Sequence, residues 1–117
     1  MKVSYWPLPK SINGAGGFPN RAVINSRLNL SGNELKRVIS NELVHVLQQI
    51  ECAHKEQIED ANDWTWRGYF RFLWTYFKFH RQYGYENNPM EIDSRHWDED
   101  LENRPAGYWK TIAESLE

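Results

Sequence analysis

In "ISNELVHVLQQ" (39–49), Asn41 and His45 stand four residues apart with Glu42 next to the first. On an α-helix four residues turn about 400°, so Asn41 and His45 point nearly the same way, and Glu42 lies about 100° round beside them. Two imidazoles at that spacing bind zinc, and the glutamate beside the first handles the proton of the metal-bound water. The pattern is H-E-x-x-H. Here Asn41 takes the place of the first histidine. An amide oxygen is a neutral, hard donor and matches zinc poorly beside an imidazole.

A catalytic zinc takes three protein ligands and keeps one position open. The candidate for the third lies in "YENNPMEIDS" (85–94). Pro89 suits the first position of a helix, which places Glu91 in its first turn. Asp93 is the near alternative. Of the remaining histidines (His54, His80 and His96), His80 is the first to consider as a substitute ligand, because His96 falls on a different side of the third helix from Glu91.

These residues need elements to hold them. "KVSYW" (2–6) reads as a short strand stopped by Pro7 and Pro9, and the glycine-rich 11–20 reads as a loop. "RAVINSRLNL" (21–30) alternates and is β-branched early, which predicts a strand at a sheet edge. Ser31-Gly-Asn-Glu34 is a capping-box pattern. Behind it Leu35, Ile39, Leu43, Val46, Leu47 and Ile50 recur at helical spacing, so the motif helix runs to about Ala53 with its apolar face toward the core. A second helix is predicted over about 63–81 with Asp63 as its cap, a third from Pro89 to about 103, and a short last one in "YWKTIAESL". The fold class is α+β: a small N-terminal β element and three or four helices, with the motif helix central.

The run "ELKRVISNELVHVLQQ" followed by "YGYENNPMEIDS" resembles the small zincin metallopeptidases of the gluzincin kind. In these an H-E-x-x-H helix is followed by a later helix that opens Asn-Pro-x-Glu and supplies a glutamate ligand. The resemblance covers about residues 21–100 and implies a zinc-dependent peptidase acting on a peptide or protein substrate. It makes position 41 the first ligand, His45 the second, Glu91 the third and Glu42 the general base. It also implies that the strand carrying Val23, Ile24 and Asn25 binds extended peptide by strand addition. The departure is Asn41, which predicts weak or absent zinc and an inactive or impaired chain. The alternative on the same fold is a non-catalytic peptide- or protein-binding module. E-x-x-H alone is a weak signal, and His45 and Glu91 can also be read as a satisfied buried histidine and a carboxylate placed by a helix dipole.

Composition agrees with one soluble domain over residues 1–117: 40 % hydrophobic, 26 % charged, net charge −2. That balance gives no global field to recruit nucleic acid or an anionic membrane. "MKVSYWPLPK" has no apolar run of signal-peptide length, and Arg67, Arg71 and Lys78 interrupt the longest apolar stretch. With its lone Cys52, the chain is expected to be cytoplasmic.

The stretch "WTWRGYFRFLWTYFKF" (64–79) contains nine of the chain's seventeen aromatics. Trp66, Phe70, Leu73 and Phe77 make one stripe, read as core. Arg67, Arg71, Lys78 and Arg81 make another. Nucleic acid is not the expected partner for this helix, since a run of acids comes after it over 86–102. An exposed cluster of this composition would suit a protein partner.

Overall fold

The computed structural model describes residues 2–9, 14–15, 19–28, 32–53 and 64–116. Its elements are β1 (Lys2–Trp6), β2 (Gly14–Ala15), β3 (Arg21–Asn25), α1 (Gly32–Ala53), α2 (Trp66–Tyr83), α3 (Pro89–His96), a 3-10 turn (Leu101–Asn103) and α4 (Tyr108–Leu116). The class is α+β. Ser31, Asp63 and His54, which the sequence marks as two caps and a spare ligand, lie outside the described residues. Among the described residues no helix is long and apolar enough to cross a membrane.

The sheet order is β1-β3-β2, so β3 is central and not an edge. β1 runs parallel to it, from Lys2↔Arg21 to Trp6↔Asn25. β2 runs antiparallel, with Gly14↔Ile24 and Ala15↔Val23, so the glycine-rich stretch read as loop contributes a short edge strand. Val23, Ile24 and Asn25 are each at most 1 % exposed. Asn25 Oδ1 accepts from Leu8 N at 3.1 Å and from Arg27 N at 3.0 Å, while Nδ2 donates to Pro9 O at 2.9 Å. A strand paired on both sides offers no edge for strand addition, so the peptide-binding part expected of residues 23–25 is corrected to a structural one.

α1 packs against β3, α2 and α3, and so occupies the centre. α2 starts three residues later than the sequence suggests, where Thr65 Oγ1 accepts from Gly68 N at 3.1 Å. It ends where Gly84, at φ 81°, takes a conformation that disfavours side chains. The face it buries also differs from the expected one. Tyr69 and Phe72 point inward with Tyr76 and Phe79, and Phe72, Met90 and Trp109 form the core cluster. Trp66, Phe70 and Phe77, read as core, are 58–63 % exposed. α3 stops at Trp97, short of 103. The next residues, Asp98, Glu99 and Asp100, are acids that the negative end of a helix disfavours.

Candidate functional site

Midway along α1 the helix is buried on nearly every side, and much of what it buries is polar. Glu42, His45, Gln48, Gln49 and Glu51 are all at most 6 % exposed. Such groups cost free energy unless each finds a partner. Gln49 finds two at the sheet end, where its Oε1 accepts from Asn20 N at 3.0 Å and from Trp64 Nε1 at 2.7 Å.

Gln48 sets the state of His45. Its Nε2 donates to Met90 O and to Asp93 Oδ2, each at 2.9 Å. A backbone carbonyl can only accept, which fixes the amide's orientation and leaves Oε1 as the acceptor on the other side. His45 Nδ1 lies 2.9 Å from that oxygen and therefore carries a proton. The other ring nitrogen, Nε2, faces Glu91 Oε1 at 3.5 Å.

Glu91 arrives from α3. Pro89 occupies the first turn, and the Asn88 side chain caps the helix by accepting from Met90 N at 3.0 Å. Asn88 Nδ2 also donates to Tyr76 O at 3.2 Å, tying the start of α3 to α2. This brings the Tyr76 hydroxyl to Glu91 Oε1, to which it donates at 2.7 Å. The rings of Phe72 and Tyr76 pack edge-on to the His45 imidazole. Glu42, three residues before His45, is buried, and its Oε2 meets no hydrogen-bond partner among the described residues.

The electrostatics stem from this placement. Burial pushes the Glu42 carboxyl from 4.5 to about 7, opposed by His45 and reinforced by Glu91. For His45 burial works against the charged ring. The Glu91 carboxylate facing it, with Glu42 and Gln48 behind, outweighs burial and raises the pKa from 6.5 to about 9. Burial also opposes the Glu91 carboxylate, yet His45 and Tyr76 hold it below its ordinary value. The site is thus an imidazolium–carboxylate pair beside a buried carboxyl whose Oε2 has no hydrogen-bond partner among the described residues.

Two of the three zinc-ligand positions expected from the sequence meet. Two ligands of one tetrahedral zinc, each about 2 Å from the metal, lie about 3.3 Å apart. His45 Nε2 and Glu91 Oε1 are separated by 3.5 Å. A hydrogen bond holding Nδ1, as Gln48 provides, is what orients a ligating histidine. Asn41 is half-buried on α1 and adds only an amide oxygen, so among the described residues the donor set falls short of the three ligands a catalytic zinc takes. Among the described residues no group of three or more His, Cys, Asp or Glu side chains is placed to hold a metal ion.

The substitutes suggested by the sequence lie elsewhere. His80 is exposed, and its ring stacks on Tyr76 at 6.4 Å. His96 is exposed against Trp97 and Tyr108. Asp93 is engaged by Arg104, whose Nε and Nη2 donate to its two oxygens at 2.9 and 2.7 Å. Arg104 also makes two bonds to Glu51, at 2.7 and 2.8 Å, and Trp109 Nε1 donates to Glu51 at 3.1 Å. A buried chain of contacts therefore runs from His45 through Gln48, Asp93, Arg104 and Glu51 to Trp109.

Sequence reasoning missed Tyr76, Gln48, Arg104 and Glu51. Only Gln48 carries a local signal, since three residues after His45 it lies on the same helix face. No protein-family model matches the chain, and neither a known protein nor a solved structure matches it.

Proposed function

We infer that the chain carries the hydrolytic site of a zincin-type zinc metallopeptidase with its first zinc ligand replaced, leaving it inactive or impaired toward peptide bonds. One observation supports the reading above the rest. Glu42, His45 and Glu91 come from two helices into one buried cluster, with His45 Nε2 turned to Glu91 at 3.5 Å. A purely structural helix gains nothing from burying a carboxyl whose Oε2 has no hydrogen-bond partner among the described residues. A general base beside a hydrolytic centre needs that arrangement, because a raised pKa near the working pH lets one carboxyl take and return a proton.

In this reading Glu91 and His45 are ligand residues, Glu42 is the base, Gln48 fixes the imidazole, and Tyr76 holds the Glu91 carboxylate. Zinc, where bound, supplies a Lewis acid and an acidified water. A second reading has its own support. His45 and Glu91 face each other as an ion pair at 3.5 Å with no metal between them needed to balance charge, so the same fold can serve as a non-catalytic peptide- or protein-binding module.

The test is zinc analysis and calorimetry on this chain beside its Asn41→His variant, then a peptide-hydrolysis screen. Stoichiometric, tight zinc and peptide cleavage in the histidine variant alone are the expected result. Zinc in neither protein would overturn the metallopeptidase reading and leave the binding module.

A further inference from the structure

α2 has two unlike sides. Counted at about 100° per residue, Tyr69, Phe72, Tyr76 and Phe79 share the arc facing the body, and Trp66, Phe70, Trp74 and Phe77 share the arc opposite. The second set is 58, 63, 76 and 61 % exposed. Four large aromatic side chains on one outward helix face form a continuous apolar strip of the kind that marks an interaction surface. Arg67, Arg71, Lys78 and Arg81 are exposed along its flank, and α2 contains no acidic residue.

The strip borders a concavity. Between α2, the end of α1 and the start of α4 lies a groove of about 600 Å³, walled by Phe70, Trp74 and Trp109 and rimmed by Arg67, Arg71 and Lys110. Its floor acid, Glu51, is neutralised from behind by Arg104 at 2.7 Å, so the groove presents positive charge outward. A second hollow continues past Trp74 to Phe77, Lys78 and Arg81.

We propose that this α2 face and the α2–α4 groove dock a short acidic segment of a partner protein that anchors itself by a large apolar side chain. The aromatic walls recognise the anchor and the cations recognise the acids, which is the composition of interface hot spots. Charge decides between a short segment and an extended polyanion. α2 holds four of the chain's fourteen cations, which leaves ten cations against sixteen acids elsewhere. A membrane or a long nucleic acid meets that repulsive remainder, whereas a short segment meets only α2 and Lys110. Because neither hollow is lined by Glu42, His45, Tyr76 or Glu91, the proposal is independent of the hydrolytic reading.

The probe is a short fluorescein-labelled peptide of glutamates and aspartates with leucines one helical turn apart, titrated with the full chain by anisotropy. Controls are the same peptide with serines for leucines, phosphatidylserine vesicles and single-stranded oligo-dT. Saturable binding of the leucine peptide, weakened at least about tenfold by Trp74→Ala and by Arg71→Glu, is the expected result. Both positions are exposed, so the variants keep the fold, which circular dichroism verifies. Equal binding of the serine peptide, binding that survives both substitutions, or binding of vesicles or oligo-dT in place of the peptide overturns the proposal.

Discussion

Glu42→Gln should stabilise the metal-free protein near neutral pH and above, and leave it almost unchanged in mild acid. Glu42 is buried, and burial raises its pKa from 4.5 to about 7, with Glu91 adding to the effect and His45 opposing it. A group that binds its proton more tightly in the folded state stabilises the fold below its unfolded pKa. That contribution is lost as pH climbs through the folded pKa. At about 1.4 kcal/mol per pH unit, the interval between 4.5 and about 7 amounts to about 3 kcal/mol, present near pH 4 and gone near pH 8. Glutamine has the same shape and no charge to lose, so the variant lacks this part of the pH dependence. The part that His45 contributes is common to both proteins and drops out of the difference. The assay is urea unfolding of both proteins, with chelator, at steps from about pH 4 to pH 8. The stability difference should open from near zero to about 3 kcal/mol in favour of glutamine. A difference that stays flat with pH would place the effect in packing. A loss at pH 8 would mean the ionised carboxylate is a structural partner, and either outcome refutes the reasoning.

The parent protein should lose stability further between about pH 6.5 and pH 9, because the His45 pKa is raised from 6.5 to about 9, and the same urea series read at higher pH checks this. Arg104→Met should cost about 3–5 kcal/mol by chemical unfolding, since it leaves the buried Glu51 and Asp93 carboxylates without their cation. Trp109→Ala should cost about 3–5 kcal/mol in the same assay, because the ring sits in the core beside Phe72 and Met90. A chain cut at Pro105 should accordingly fail to fold, which would show as lost near-ultraviolet dichroism. Asn88→Ala should cost about 0.5–2 kcal/mol through the lost α3 cap, read as a lowered melting temperature.

What the sequence made legible is what local physics decides. The motif helix, the first strand and the last helix stand where apolar spacing, prolines and glycines put them. Pro89 and Glu91 were readable because a proline at the first helical position fixes the register of the residues after it. The inward face of α2 was not readable. Trp66–Phe70–Phe77 and Tyr69–Phe72–Tyr76 are both aromatic stripes at helical spacing, and only the tertiary partners choose between them. The chosen stripe is the one whose Tyr76 hydroxyl finds a carboxylate. The centrality of β3 was hidden for a similar reason, since a glycine-rich run carries almost no strand signal yet pairs with it. Arg104 lies 53 residues from Glu51, and no spacing rule spans that distance.

The buried polar groups on α1 sort themselves by whether they are satisfied. Gln49 holds the sheet end and Trp64, and Glu51 closes on Arg104 and Trp109. Gln48 uses both ends of its amide, reaching Asp93 on one side and His45 on the other. These are the fixed parts, and a fully connected network of this kind rigidifies what it touches. It touches the imidazole, through Gln48, and α3, through Asp93. Among the described residues, the groups it leaves with capacity to spare are Glu42, with Oε2 unpartnered, and the His45 Nε2 edge toward Glu91, at a separation wider than a good hydrogen bond. A structural polar core would close those gaps as well. Rigid support on one side and open bonding capacity on the other is the division expected when the shell around a site is built to hold reactive groups that the fold itself does not use.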